Sequence, residues 1–184
     1  MFQKLLEKIA GAFKRENIPY MIIGGQAVLL YGSPRLTRDI DITIGIDTDQ
    51  FPLVEKLCQK LKLKMLPQDP QRFAQETHVL PVEETILKVR VDFIFSFTPY
   101  ERQAMKRAKK VLIDGYSAKF ASVEDIVVHK ILAGRAIDLE DVKNILLKNR
   151  KIDFKYIKQW LSEFDQLAEQ KGILRKFQNL ITAF

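Results

Sequence analysis

The chain has 184 residues, 47% hydrophobic and 29% charged, with a formal net charge of +7. That is enough for one core-bearing domain, or a domain with a helical appendage, and the balance is that of an ordinary soluble globular protein. A single cysteine, Cys58, excludes an internal disulfide, two histidines make a histidine-rich zinc site or a His-based hydrolase improbable, and no run approaches membrane-spanning length.

Phe2, Leu5, Leu6, Ile9 and Phe13 fall at helical spacing among charged residues, so the chain is expected to open with an amphipathic helix over 2–16. No signal peptide is read there, and with the lone cysteine this predicts a cytoplasmic protein. A short apolar strand (19–23) leads into Gly24-Gly25 and a helix to Tyr31. Strict alternation over Asp39-Ile40-Asp41-Ile42-Thr43-Ile44 predicts a strand with Asp39, Asp41 and Thr43 on one face and the isoleucines on the other. A helix follows at 49–63. The stretch 64–84, rich in Pro, Gln and Asp, reads as an irregular loop with a short strand near 77–81. Residues 86–95 form a long alternating strand that puts Lys88, Arg90 and Asp92 on its polar face. A short helix near 99–108 and a hairpin (110–114 and 117–120, turning at Asp114-Gly115) come next.

Everything after Ser122 reads as helical. Ser122 with Asp125, and Asp138 with Asp141, have capping-box spacing. Phe154, Ile157, Trp160, Leu161, Phe164 and Ala168 form an apolar stripe in the last part. The seam between an α/β half (1–121) and a helical region packed on it (122–184) falls near residue 121.

Two carboxylates side by side repel, and a fold accepts them mainly where a cation will sit between them. Oxygen-only ligation suits a hard divalent ion, magnesium before zinc. Upstream, the strand-to-helix junction at Gly24 and Gly25 offers backbone amides to a phosphate without Cβ obstruction. Arg35 and Arg38 could clamp phosphates or offset the neighbouring aspartates. Asp92 could join the acids or pair with Lys88 or Arg90. Lys130 falls on the inward stripe of its helix, where its ammonium must either snorkel outward or meet an anion such as a triphosphate.

Gly24-Gly25 followed by Arg35-x-Thr37-x-Asp39-x-Asp41 resembles the DNA polymerase β-like nucleotidyltransferase superfamily, and within it the AbiEii-like group of type IV toxin–antitoxin systems. The resemblance spans roughly 20–141, with Asp92 as the third carboxylate and Lys130, Ala133, Arg135, Asp138 and Asp141 resembling a later segment. It implies an α/β (α+β) core with a mixed sheet flanked by helices, then a helical C-terminal region. It also implies a nucleotidyltransferase that moves a nucleoside monophosphate from a nucleoside triphosphate (NTP) to an RNA or tRNA end or a protein hydroxyl. Two Mg²⁺ ions would be held by Asp39, Asp41 and Asp92, with phosphates met by Gly24, Gly25, Arg35, Thr37 and Arg38. Lys130 would neutralise the departing pyrophosphate, and the protein would act as a toxin beside an antitoxin partner.

Two rivals stand beside this reading. An aspartate-nucleophile phosphatase would want an apolar strand before the first aspartate and a later Gly-Asp pair, and no Gly-Asp occurs in the chain. A non-catalytic relative would bind a nucleotide, nucleic acid or protein only. The charge is uneven, with 13 basic against 12 acidic residues over 1–100 and 17 against 11 over 101–184. Two clusters carry the excess: Arg102, Lys106, Arg107, Lys109, Lys110, and Lys148, Arg150, Lys151, Lys155, Lys158. They are either a solvated surface or an electrostatic track for RNA.

Overall fold

Alternation decides the centre of the fold. Strand β2 (Asp39–Ile44) buries Ile40, Ile42 and Ile44 completely, and β5 (Val89–Phe95) does the same with Val91, Phe93 and Phe95. The two strands run parallel, and their fully buried rows form the middle of the core. These features come from a computed structural model, which describes residues 2–96, 98–113, 115–167 and 172–182. The side chain of Phe2, Asp114 of the expected turn and Ala168 of the expected stripe fall outside the described residues.

Around this pair lie β1 (Tyr20–Ile22), β3 (Leu63–Met65), β4 (Val79–Glu84), β6 (Lys109–Ile113) and β7 (Tyr116–Phe120). The sheet order is β3-β4-β5-β2-β1-β7-β6. Contacts β2–β5 and β1–β7 are parallel and the rest antiparallel, so the sheet is mixed. Helix α1 (Phe2–Arg15) buries Leu5, Leu6, Ile9 and Phe13, and Phe13 stacks on Tyr20 and meets Phe93 edge-on. Helix α3 (Phe51–Leu61) follows a 3₁₀ turn at Thr48–Gln50 and buries Phe51, Val54, Leu57 and Cys58. Burial pushes the Cys58 thiol up to about 12, so this cysteine is a packing residue.

The stretch 64–84 departs from expectation. It holds β3, helix α4 (Pro70–Thr77) and a longer β4 in place of a loop with one short strand. The start of α4 is explained locally: Asp69 accepts from the amide of Arg72, and Pro70 occupies the first turn. Residues 85–88 turn between β4 and β5, with Lys88 at φ 55°, so β5 begins three residues later than expected. Helix α5 (Pro99–Arg107) starts with a full capping box between Thr98 and Glu101.

The chain divides into two compact units, one of Met1–Gln26 with Leu36–Ala121 and one of Ala27–Arg35 with Ser122–Phe184. Helix α2 (Gly24–Tyr31) runs from the first into the second. The second unit is helical: α6 (Val123–Ala133), α7 (Ala136–Lys148), α8 (Phe154–Leu167) and α9 (Ile173–Ile181). Ser122 caps α6 by accepting from the Asp125 amide. The second expected box does not form. Arg135 is the N-cap of α7, and Asp138 lies inside its first turn with other partners. Ile157 and Leu161 of the expected stripe are fully buried, whereas Phe154 is 40% exposed and stacks on Phe177.

Candidate active site

The register of β2 against β5 sets Asp41 beside Asp92 and Asp39 beside Arg90, on one face of the sheet. Asp39 is exposed at the strand entry, and Asp41 and Asp92 are half-buried. Thr43, next on that face, is fully buried, and its hydroxyl finds no hydrogen-bond partner among the described residues.

Gly24 stands against Asp41. Its φ is 60°, and a Cβ built on it would lie 1.8 Å from Asp41 Oδ2, so the carboxylate occupies the space of a side chain. The Ile23 amide donates to the Asp41 carbonyl at 2.9 Å, tying the strand end to β2. Helix α2 therefore begins at a carboxylate, which the positive end of the helix dipole favours. Gln26, in its first turn, donates to Thr37 Oγ1 at 2.6 Å and so fixes the approach to β2. Arg38 on that approach is exposed.

Arg90 is the cation of this face. Its Nε donates to Asp92 Oδ1 at 2.8 Å. That bond, opposed by partial burial and helped by the charges of Asp92, Asp39 and Asp41, holds the guanidinium above its ordinary range. Arg90 thus feels all three acids at once. A positive charge already sits where the acids need one, and the donor set is all oxygen, so these residues fit a hard divalent cation. They are not drawn into a cluster, however: among the described residues no three acidic, histidine or cysteine side chains come together closely enough to hold a metal. Period-two spacing on one strand face makes Arg90 legible beside Asp92 as its partner.

Pro81 of β4 is the register partner of Asp92 and shares its face. Beyond it opens a shallow depression of about 560 Å³, walled by Leu66, Arg72, Phe73 and Glu76 with Pro81 and Arg90 at its base.

Two of the expected site residues belong to the second unit. Lys130 is buried, and its Nζ lies 2.7 Å from Asp138 Oδ1 and 2.9 Å from Asp141 Oδ2. Its ammonium does not snorkel outward; it meets these two aspartates. Arg135 grips Asp138 with Nε and Nη2 at 2.6 and 3.1 Å, and Arg35 grips Asp141 in the same two-point way at 3.1 and 3.2 Å. Burial alone would raise the Asp138 carboxyl, but hydrogen bonds from Arg135 and Lys130 hold it below its ordinary value. Arg35 therefore answers an aspartate 106 residues away and not its sequence neighbours. In the basic clusters, Lys151, Lys155 and Lys158 are exposed, while Lys148 donates to the Gly32 carbonyl at 2.9 Å.

The family model described as nucleotidyltransferase of unknown function (DUF6036) matches residues 1–184. No curated protein sequence matches the chain significantly. Among solved structures, ANT(2″)-Ia in complex with adenylyl-2″-tobramycin is 17% identical, with a TM-score of 0.62 over 90% of this chain and 98% of that one. An antigenic nucleotidyltransferase-like protein from Paracoccidioides brasiliensis is 18% identical, with a TM-score of 0.58 over 94% and 91% of the two chains. The lincosamide antibiotic adenylyltransferase LnuA, lincomycin-bound, is 17% identical, with a TM-score of 0.53 over 78% and 95%. At these identities the likeness is one of fold.

Proposed function

The chain belongs to the nucleotidyltransferase family DUF6036, and from that membership we propose that it is a magnesium-dependent enzyme transferring a nucleoside monophosphate from an NTP to a hydroxyl acceptor. One observation carries the reading: Asp41 and Asp92 are register partners on adjacent parallel strands, with Gly24 in contact with Asp41 where a helix begins. Acids that would hold cations and amides that would hold phosphate then lie side by side.

In this reading Asp39, Asp41 and Asp92 would hold Mg²⁺, which would supply positive charge against the triphosphate and acidify the attacking hydroxyl. The acceptor oxygen attacks the α-phosphorus, and the bond to pyrophosphate breaks. Gly24 and Gly25 would offer the first amides of α2 to phosphate oxygens at the strand-to-helix junction, where the Cβ position of Gly24 is taken by Asp41. Thr37, fastened to Gln26, keeps the approach to β2 in place, and exposed Arg38 is free to reach the triphosphate. Arg90 would release Asp92 to such a cation, and the depression beside it is the proposed seat of the acceptor. Lys130, Arg35 and Arg135 act as positioning residues that lock α6, α7 and the 27–35 segment through Asp138 and Asp141. Such transfers depend mainly on positioning and electrostatic stabilisation. The acceptor classes are an RNA or tRNA end, a protein hydroxyl, or a small hydroxylated molecule of the kind named for two of the similar structures. A toxin opposed by an antitoxin, the role that the AbiEii-like resemblance implies, would use this same chemistry.

The bond between Arg90 and Asp92 favours one second reading, a relative that binds NTP without transferring it. A single experiment separates the two. Protein, Mg²⁺ and each α-labelled NTP are incubated with total RNA, with lysate and with hydroxylated small molecules. Label on an acceptor that disappears in Asp39→Asn and Asp41→Asn supports transfer. Saturable NTP binding with no labelled acceptor in any arm supports the binder, and full activity in both variants ends the assignment of the acids.

A further inference from the structure

A second cavity, unrelated to the acids, opens at the other end of the first unit. It has a volume of about 560 Å³ and lies between α1, the turn into β1 and the β6–β7 hairpin. Tyr20 lines it, and Tyr20 pairs with Ile44, the last residue of β2, whereas Asp39 is the first. About five strand steps, roughly 17 Å, separate the two ends. Its floor is apolar, with Ala10, Phe13, Ile18 and Tyr20 all buried.

Three features distinguish it from a packing gap. Lys110 and Lys119, both on its rim, are direct register partners on the antiparallel hairpin, and like charges directly opposite destabilise a strand pair. Lys14 of α1 is the third cation, against one acid, Glu7. Finally, Gly11 sits mid-helix on the cavity wall, where a Cβ would meet nothing nearer than Arg15 Nη1 at 3.4 Å. Packing does not require glycine there, and glycine weakens a helix interior, so its visible effect is to leave the cavity open.

We infer that this cavity binds a small anion with an apolar body, its carboxylate, sulfonate or phosphate group between Lys110 and Lys119 and its hydrocarbon or ring on the Phe13–Tyr20 floor. The anion relieves the repulsion that the lysine pair otherwise bears. Tyr20 contributes as well: its hydroxyl accepts from the Lys119 amide at 3.2 Å and keeps its own proton to donate. RNA, which an extended basic surface would suit, does not need the apolar floor.

The test uses the full chain, with 8-anilinonaphthalene-1-sulfonate as a fluorescent probe and decanoate as a competitor. One saturable site is expected, displaced by decanoate and not by decanol. Lys110→Glu pairs with Lys119 and removes the repulsion, and Gly11→Leu improves helix propensity while filling the cavity. Both variants should melt at or above the parent temperature yet lose at least tenfold in probe affinity. Because stability and binding move in opposite directions, misfolding cannot mimic the result. The proposal is overturned by three outcomes: no saturable site, a site indifferent to both substitutions, or a site displaced by an RNA oligonucleotide and unaffected by Gly11→Leu.

Discussion

A methyl group on Gly24 would lie 1.8 Å from Oδ2 of Asp41, at a backbone φ of 60°. The glycine and the carboxylate are therefore one feature of the site. Gly24→Ala should lose transfer and stability together, with about 1–2 kcal/mol from the left-handed backbone alone and more from the collision. An Asp41→Ala background removes Oδ2 and Cγ and leaves only the Asp41 Cβ, 3.0 Å away, so most of the collision is relieved. A double-mutant cycle by chemical denaturation should then show a smaller cost for Gly24→Ala than in the parent. Equal costs in both backgrounds would separate the two residues.

Arg90 is expected to compete with divalent cations for the acids. Its exposed bond to Asp92 contributes no more than about 1 kcal/mol, so Arg90→Gln should change the metal-free melting temperature little. The same variant should bind Mg²⁺ more tightly, shifting the midpoint of a Mg²⁺-dependent melting curve to lower concentration. An unchanged midpoint would mean that Arg90 and the cation do not share a place.

Lys130→Met leaves Asp138 and Asp141 buried with one cationic partner fewer. Removing one member of a buried ion pair costs about 3–5 kcal/mol, and the lower end is expected here because Arg135 and Arg35 remain. Lys130→Met with Asp138→Asn should recover part of that loss. Denaturant titration of the three proteins checks this, and full stability in the single variant would show that the ion pairs contribute little.

The depressed Asp138 carboxyl contributes acid-sensitive stability to the second unit. A lowered folded-state pKa supplies stability above the unfolded value, about 3.9, and that stability is lost as pH falls through the folded value. Parent protein should therefore lose stability steeply below about pH 4, and Asp138→Asn should show a shallower acid limb from a lower starting point. Superimposable limbs would assign acid unfolding to other carboxylates.

Lys151, Lys155 and Lys158 recur at four- and three-residue spacing and are exposed. If they follow an RNA strand, reversing all three to glutamate should weaken RNA binding. It should also flatten the slope of log K against log salt by about 2, at roughly 0.7 per phosphate contact on a single strand. NTP affinity should not move. An unaltered slope would leave a protein or small-molecule acceptor ahead.

The residues by themselves determined the strands that matter. Period-two alternation marked β2 to the residue and β5 to within three, because burial on one face imposes that pattern wherever the strand lies. Gly24 was legible as the end of a strand, and Asp39, Asp41 and Asp92 as one polar face. Helix α4 was not legible: the stretch reads as an irregular loop. Asp69-Pro70 is a helix start, but the Gln-rich turns after it carry little apolar periodicity, and β3 is three residues long. What the tertiary structure alone decided is which charges meet. Lys130 finds Asp138 and Asp141 across a helix boundary, and Arg35 finds Asp141 over 106 residues. The register of β2 against β5, and with it the placing of Asp41 beside Asp92, is likewise a long-range choice. Local rules act over a turn of helix or a pair of strand residues; ion pairs and sheet register are selected by the packing of segments distant in sequence, so no spacing in the chain announces them.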